Sequence, residues 1–315
     1  MKRLIILFCT ISLIFVLAAC SNNKEKDGKA SASEEEKTRE IDTVMGKVIV
    51  PSDPQRVIVD WNLGEVMAVG IEPVGTSKTI LDFGVLLKPY VTEKTQDIGV
   101  DGQVSMEKIL DLKPDLIITY DKEAVEKYKK IAPTVVYDVS QYDTIQEKVI
   151  GMGEILNRQE EAKEFNKKLE KKVAAAKERI GKIIPEGKTI SIIDVGTTKS
   201  TLVVGKTGER GGDTLYELLD MKAPKRVQTD IIDKDGDRLD VSWEKVSDYA
   251  GDYIVKISNP DVKNQKLPAI WNTLDAVENG HVVDVDVHSY FMSDAYTAML
   301  QLDDLADAIE KQIKK

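Results

Sequence analysis

Short apolar runs alternate with amphipathic stretches along most of the chain after residue 41. Continuous β-branched and aliphatic runs predict buried strands at residues 56–60, 115–119, 134–137 and 190–195. Between them the spacing predicts helices, the first of which begins after Asn62 and ends before Gly70. Strands that alternate with helices form parallel βαβ units, so the sequence predicts an α/β fold.

A stretch rich in Lys, Glu and Ala separates two such series of strands and helices. It covers residues 144–180, and we expect Asn157 to break it into two helices. In the second helix, from residue 159 to 180, apolar side chains recur every three or four positions, as on one face of a helix. We expect this long helix to join two α/β lobes; a coiled-coil arm is the alternative.

A repeated segment supports the two-lobe organisation. Val104-Ser-Met-Glu-Lys-Ile109 recurs 137 residues later as Val241-Ser-Trp-Glu-Lys-Val246, and the match continues without a gap into the following strand. Each copy predicts a serine N-cap, a short helix and a strand. Two lobes of related build would bind a ligand between them.

The amino terminus has the pattern of a bacterial export signal. Lys2 and Arg3 precede an apolar run of about 16 residues, shorter than the roughly 20 that span a bilayer. The run ends in Leu17-Ala-Ala-Cys20, which matches the lipobox of bacterial lipoproteins. We therefore expect residues 1–19 to be removed as a signal peptide and Cys20 to carry the lipid.

The segment after Cys20 is polar and charged, with too little apolar surface to fold. It predicts a flexible tether over residues 20–42. The remaining chain divides into a predicted amino-terminal lobe (43–157), a connecting helix (158–187) and a carboxy-terminal lobe (188–315).

Composition excludes several classes of site. The chain has two cysteines, and neither Cys9 in the signal nor an acylated Cys20 leaves a free thiol. Without Lys2 and Arg3 the net charge is about −12, which argues against a nucleic-acid partner. No nucleophile elbow or carboxylate pair suited to acid–base work stands out. The sequence favours binding over catalysis, and a lipoprotein hydrolase is the rival from another class.

Candidate ligand-binding residues lie at strand ends and in two loops. Open α/β sheets bind ligands at the carboxyl ends of their strands. The loop Gly208–Asp213 adds an arginine among glycines, which suits anionic oxygens. The loop before the last helix adds aromatic groups. The predicted ligand-binding residues are Trp61, Asn62, Tyr120, Arg210, His288, Tyr290 and Phe291.

Glu107 and Glu244 occupy the same position in the two repeats, two residues after the capping serine. A carboxylate there interacts favourably with the helix dipole, which explains each residue locally. Their equivalence in both lobes predicts a two-pronged docking surface for a symmetric partner.

These features together resemble the iron–siderophore-binding lipoproteins of bacterial ABC importers, most closely the iron–hydroxamate group. The resemblance covers nearly the whole chain. It implies two α/β lobes joined by one rigid helix, the helical-backbone type of metal receptor. It also implies that Arg210 contacts the oxygens around the iron, and that Glu107 and Glu244 meet arginines of the permease. The motifs are Leu17–Cys20, Glu107–Ile118, Ile131–Val136, Arg210–Gly212, Tyr249–Ile254, His281, Val285-Asp286, Tyr290 and Asp294–Thr297.

The resemblance further implies a monomer without a cofactor, anchored by lipid on the outer face of the cytoplasmic membrane. It favours the Gram-positive type of anchoring. Its partners would be the permease and, through it, the ATPase. The siderophore would hold the iron, so no direct metal ligand is expected. The chain departs from hydroxamate binders by having Gly208 and Phe291 where they carry tryptophan. A ferric citrate or carboxylate siderophore is therefore the main alternative ligand, and haem or a corrinoid is a less favoured one.

Overall fold

Two five-stranded sheets form the framework of the computed structural model, which describes residues 37–196, 200–207, 209–262 and 265–313. The strands are β1 (Thr38–Thr43), β2 (Gly46–Pro51), β3 (Val57–Val59), β4 (Gly75–Thr76), β5 (Gln96–Asp97), β6 (Gly99–Val100), β7 (Gln103–Val104), β8 (Leu116–Thr119), β9 (Thr134–Val136), β10 (Ile190–Asp194), β11 (Ser200–Val204), β12 (Arg238–Ser242), β13 (Tyr253–Ser258) and β14 (Val282–Asp286).

Helices connect and cover these strands. The α-helices are α1 (Leu63–Ala68), α2 (Lys78–Phe83), α3 (Met106–Asp111), α4 (Val125–Tyr128), α5 (Ile145–Leu156), α6 (Gln159–Gly181), α7 (Lys225–Asp230), α8 (Asp275–Glu278), α9 (Val287–Tyr290) and α10 (Ala295–Gln312). Turns of 3₁₀-helix cover Val85–Tyr90, Val139–Gln141, Ile232–Lys234, Trp243–Asp248 and Ala269–Thr273, and Asp213–Leu218 is a π-helix. None of the helices in the described ranges is long and apolar enough to cross a membrane.

The amino-terminal sheet is parallel throughout, in the order β5-β4-β3-β8-β9. Every residue of β3, β8 and β9 is buried, because helices cover both faces of a parallel sheet. The strands predicted at residues 56–60, 115–119 and 134–137 are confirmed, each shortened by one or two residues.

The carboxy-terminal sheet is mixed, in the order β12-β11-β10-β13-β14. Its strands β10, β13 and β14 are parallel, and the antiparallel pair β11 and β12 extends one edge. The parallel part contains the strand predicted at residues 190–195, so the α/β character of the second series is confirmed.

The long helix α6 joins the two lobes. Asn157 ends α5 in the left-handed conformation (φ 56°), so the predicted break at this residue is confirmed. The apolar stripe of α6 is buried and packs against α5 of the first lobe and α10 of the second. Arg179 of α6 also pairs with Glu310 of α10 at 2.6 Å. A continuous core, which contains Val59 of one lobe and Val255 of the other, runs beneath the helix and joins the lobes firmly.

The repeated segment builds a second, smaller core in each lobe. Ile109 and Ile117 are buried in the amino-terminal one, and their repeat partners Val246 and Ile254 are buried in the carboxy-terminal one. The predicted serine cap is confirmed in the first copy, where the Ser105 hydroxyl accepts from the Lys108 amide at 3.3 Å. In the second copy Ser242 makes no such bond and the following turn is 3₁₀ rather than α.

The chain before the first lobe corrects one predicted boundary. Thr38–Thr43 pairs antiparallel with Gly46–Pro51, and Arg39 donates a hydrogen bond to the carbonyl of Ile155 in α5. Backbone pairing therefore orders residues that the sequence assigns to the tether, whose predicted end at residue 42 is too late. The predicted signal peptide, Cys20 and the rest of the tether lie outside the described residues.

Candidate ligand-binding cleft

A cavity of about 1100 Å³ opens between the two lobes, a volume suited to a small-molecule ligand. Its amino-terminal wall comes from residues after β3, β8 and β9, because neighbouring parallel strands end at the same edge of a sheet. The residues of its carboxy-terminal wall are Lys206, Thr207, Glu209, Glu217, Ile232, Asp235, Gly236, Met292, Ser293 and Asp294. The cleft therefore lies where the sequence places the ligand, between the lobes.

Trp61 and Tyr120 form an aromatic pair on the amino-terminal wall. Val59 of β3 lies beside Ile118 of β8, so the residues that follow each strand come together at the cavity. Their ring centroids are 5.9 Å apart, and the Tyr120 hydroxyl lies 3.1 Å from the Asp101 carboxylate. Tyr120 is 44% exposed, which leaves a face for a ligand. The structure thus brings two predicted ligand residues to the same wall.

Asp60 is a buried carboxyl group next to this pair and is not among the ligand residues predicted from the sequence. It accepts hydrogen bonds from the hydroxyls of Thr119 and, at 3.4 Å, Tyr128. Burial raises the pKa of Asp60 to about 7, although these hydrogen bonds oppose the shift. An acidic residue at the end of a buried run is the only sign of Asp60 in the sequence. Its hydrogen-bond partners, Thr119 and Tyr128, are far along the chain and are identified only by the fold.

Asn62, Glu65 and Asp294 form the floor of the cleft. Asn62 is a predicted ligand residue, and all three line the cavity while being almost fully buried. Glu65 Oε1 accepts from the Ala295 amide at 3.3 Å, which links α1 to the start of α10. Burial and then the nearby Asp294 carboxylate raise the pKa of Glu65 to about 8. A neutral Glu65 lets the two carboxyl groups lie together at neutral pH.

Polar contacts at the back of the cleft connect the two lobes. Lys148 of α5 lies 3.5 Å from Asp213, whose carboxylate also accepts from the Ser293 hydroxyl at 2.6 Å. The Ile145 amide donates to Glu217 at 2.8 Å. Asp213 is the first residue of the π-helix, and its side chain is buried in this network. These contacts support a rigid connection between the lobes.

Arg210, a predicted ligand-binding residue, does not line the cavity. Its Nε lies 2.8 Å from Asp194 and its Nη1 lies 3.0 Å from Glu209. Only 13% of its side chain is exposed, and its backbone has a positive φ of 81°. Two carboxylates thus neutralise the arginine that was predicted to meet an anionic chelate. Gly208 of the same loop lies outside the described residues.

Phe291 and His288 form an aromatic cluster with Phe83 of α2, which comes from the other lobe. The Phe83 ring centroid is 5.0 Å from that of Phe291 and 5.7 Å from that of His288. Arg210 lies over the Phe291 ring at 5.1 Å, and His288 Nε2 lies 3.1 Å from Asp261. The structure therefore brings three predicted ligand residues together beside Phe83, rather than on the cavity wall.

Tyr290 is a core residue, which corrects its prediction as a ligand contact. Its side chain is 2% exposed, and a Cβ on Gly211 would lie 2.7 Å from its Cδ1. Its carbonyl accepts from the Arg210 amide at 2.8 Å. Tyr290 is the last residue of α9, and its buried ring packs against Gly211 of the arginine loop.

The sequence profile of the periplasmic binding protein family matches residues 63–287, which contain most of both cleft walls. The chain belongs to the periplasmic binding protein family. It is 34% identical to the iron(3+)-hydroxamate-binding protein FhuD of Bacillus subtilis, over 98% of each chain. It is 30% identical to the iron(3+)-hydroxamate-binding protein YxeB of the same organism, over 100% of this chain and 98% of that protein. The structure of the FhuD protein from S. pseudintermedius superposes with a TM-score of 0.76 at 28% identity, covering 88% of this chain and 100% of that one.

Membership of this family makes the chain a substrate-binding protein and not an enzyme. It also confirms the predicted architecture of two α/β lobes joined by α6. Within the described residues, no group of three or more His, Cys, Asp or Glu side chains is arranged to hold a metal ion.

Glu107 and Glu244 lie away from the cavity lining, both exposed to solvent. Each follows the first residue of a helical turn, in α3 and in the turn Trp243–Asp248. Hydrogen bonds from its own backbone and from Ser242 lower the pKa of Glu244, so it stays ionised. Both residues therefore lie on the exposed surface outside the cavity, and their docking role stays a prediction.

Proposed function

We propose that this protein captures a ferric siderophore, of the hydroxamate type, in the cleft between its lobes. The observation that carries the proposal is the 1100 Å³ cavity with the Trp61–Tyr120 pair on its wall, in a chain similar to two iron(3+)-hydroxamate-binding proteins. Ferric iron prefers oxygen ligands, which a siderophore supplies itself. The protein then needs no resident cofactor and recognises only the outside of the complex.

Competing ligands are a ferric citrate or carboxylate siderophore, and more distantly haem or a corrinoid. A haem receptor would normally supply an axial His, Met, Cys or Tyr ligand. A Soret band after mixing with haem would reveal that alternative.

The proposed function includes anchoring outside the cell. Removal of residues 1–19 would leave Cys20 as the acylated first residue, and residues 20–36 would tether the folded lobes to the membrane. Stable attachment takes more than one acyl chain, which a lipoprotein's diacylglyceryl group provides. Replacing Cys20 with alanine should release the protein from the membrane fraction while leaving ligand binding intact. Retention of the variant in that fraction would refute the anchor.

Delivery would follow docking on an ABC permease, and the protein would act as a monomer. We propose that Glu107 of the first lobe and Glu244 of the second each meet a basic residue of one permease subunit. Their equivalent positions in the two repeats support this arrangement, since a permease built of two similar subunits would present the same basic residue to each lobe. The ATPase would take part only through the permease.

Fluorescence titration tests the proposal. Of the three tryptophans, Trp243 and Trp271 are buried against each other in the smaller core of the second lobe, whereas Trp61 lines the cavity. Ferric hydroxamates should quench emission saturably, and Trp61→Phe should remove most of the ligand-dependent change. A panel of ferric hydroxamates that gives no saturable response would overturn the proposed function.

A further inference from the structure

The cavity walls carry an excess of negative charge. Among the described residues that line the cavity, nine carry a carboxyl group and three carry an amine. The carboxyl groups come from both lobes, so the excess surrounds the ligand space. A low-dielectric cleft lined by one sign of charge concentrates ligands of the opposite sign.

Two of the three lysines that line the cavity are engaged by protein carboxylates, whereas Lys206 of the carboxy-terminal wall has no ion pair with another described residue. Lys122 pairs with Asp138 at 2.9 Å, and Lys148 lies 3.5 Å from Asp213. Arg210 is held by Asp194 and Glu209. Apart from a contact with Lys206, an anionic ligand would have to displace these pairs, whereas a cationic ligand meets no such competition.

The cleft floor presents a buried acceptor, Asn62 Oδ1, that has no donor among the described residues. Asn62 is 6% exposed and lines the cavity. Buried acceptors are costly unless they are paired, so Asn62 favours a ligand that brings N–H donors.

We propose that the cleft selects ferric complexes that carry a protonated amine over neutral and anionic ones. This inference rests on the proposed function and specifies its substrate class. The ammonium group has three donors and no acceptor, which matches the unpartnered oxygen of Asn62. Carboxylate complexes, which are anionic, are disfavoured because like charges repel and because Lys206 is the one cavity-lining lysine, among the described residues, that no protein carboxylate engages.

Exposed carboxylates at the mouth extend this selection to the rate of binding. Glu123, Asp143 and Asp235 are exposed and line the cavity, and no ion pair with another described residue engages them. Such rim charges steer an oppositely charged ligand and make its association rate sensitive to salt. Neutralising them should therefore slow the binding of a cationic complex more than it speeds dissociation.

Three probes of different charge test the inference on the intact folded protein. Ferrioxamine B is a cationic trihydroxamate with a free amine, its N-acetyl derivative is a neutral complex of the same shape, and ferric citrate is anionic. Ferrioxamine B should bind about tenfold tighter than the acetylated form, as expected for one charge-assisted hydrogen bond. Ferric citrate should bind most weakly, and only ferrioxamine B should lose affinity as salt rises.

A matched pair of variants separates the cleft from general surface charge. Glu123→Gln with Asp143→Asn and Asp235→Asn should slow association of ferrioxamine B about fivefold and leave the acetylated complex unchanged. Asn is well tolerated at position 235, where the backbone is left-handed (φ 53°). The control combines Glu164→Gln, Glu186→Gln and Glu278→Gln, three exposed carboxylates outside the cavity, and should bind as the unaltered protein does.

The outcomes distinguish the two proposals. Equal affinity for ferrioxamine B and its acetylated form would overturn the charge selection while the hydroxamate function stands. Tight binding of ferric citrate alone would overturn both. Failure of all three probes to bind would overturn the proposed function and the inference with it.

Discussion

Arg210 Nε lies 2.8 Å from Asp194 Oδ2, and only 13% and 8% of the two side chains are exposed. The resemblance implies that this arginine reaches the oxygens around the iron. In the structure it is part of the framework, because its charge is paired inside the loop and its guanidinium lies over the Phe291 ring. Removing one member of a buried pair leaves the other charge without compensation, which is strongly destabilising.

Arg210→Ala should therefore lower the free energy of unfolding by about 3 kcal/mol, measured by chemical denaturation. Arginine and alanine have similar backbone strain at a positive φ, so the difference in the free energy of unfolding reflects the loss of the side-chain contacts. Adding Asp194→Asn should recover part of the loss. The control is Arg238→Ala, whose pair with Glu209 is more exposed and should contribute about 0.5 kcal/mol. Equal, small losses for both arginines would mean that the Arg210 pair is not structural.

Gly64 lies against Asp294 where α1 meets the start of α10, and a Cβ there would be 1.5 Å from Asp294 Oδ1. Asp294 cannot move away easily because it caps α10 through the Thr297 amide at 2.7 Å. Gly64→Ala should destabilise the protein by about 2 kcal/mol and weaken ligand binding at the floor. Gly181→Ala, at an open position in α6, is the control and should be neutral or stabilising. A Gly64→Ala protein as stable as the control would contradict the contact.

Glu65 gives the stability a defined dependence on pH. Its pKa is raised from 4.5 to about 8 in the folded protein, so the folded state binds more protons than the unfolded state between these values. The free energy of unfolding should then fall as pH rises from about 5 to 8. Glu65→Gln, which is always neutral, should reduce that fall by at least about 1 kcal/mol. The exposed Glu186→Gln should leave the slope unchanged, and an equally steep slope in Glu65→Gln would exclude Glu65 as its source.

Docking and ligand capture should separate by mutation. Replacing Glu107 and Glu244 with lysine should abolish uptake of the radiolabelled iron complex at equal surface level, with ligand affinity unchanged. A charge pair that loses one partner at an interface typically costs about 2–5 kcal/mol. Asp111 and Asp248 offer a control, since they are also repeat-equivalent, exposed and acidic on the same two helical turns. If the Asp111/Asp248 lysine variant loses as much uptake, the effect is general surface charge and not docking by the glutamates.

The sequence predicts most of the framework because its signals are local. β-branched runs set β3, β8 and β9, and the apolar stripe of α6 and the left-handed Asn157 set the connecting helix. Trp61, Asn62 and Tyr120 reach the cavity because strand ends of a parallel sheet meet at one edge. Position along the chain is enough to place such residues.

The environments of Arg210 and Tyr290 could not be predicted from local sequence. Arg210 pairs with Asp194, and Tyr290 packs against Gly211. Neither partner is adjacent in sequence, so no local pattern predicts these contacts. The same holds for Phe83, which meets Phe291 across the two lobes, and for Glu65 at the floor. Contacts between residues that are distant in sequence can be identified only from the fold, because the sequence of a loop does not determine the direction of its side chains.

The most direct test of the central claim is the position of iron in crystals grown with a ferric trihydroxamate. Anomalous scattering from iron should give one strong peak per molecule inside the cleft, between the Trp61–Tyr120 wall and the opposite lobe. The siderophore oxygens should complete the coordination shell, with no protein atom bound to the metal. An iron peak outside the cleft, or iron held directly by protein side chains, would contradict the account.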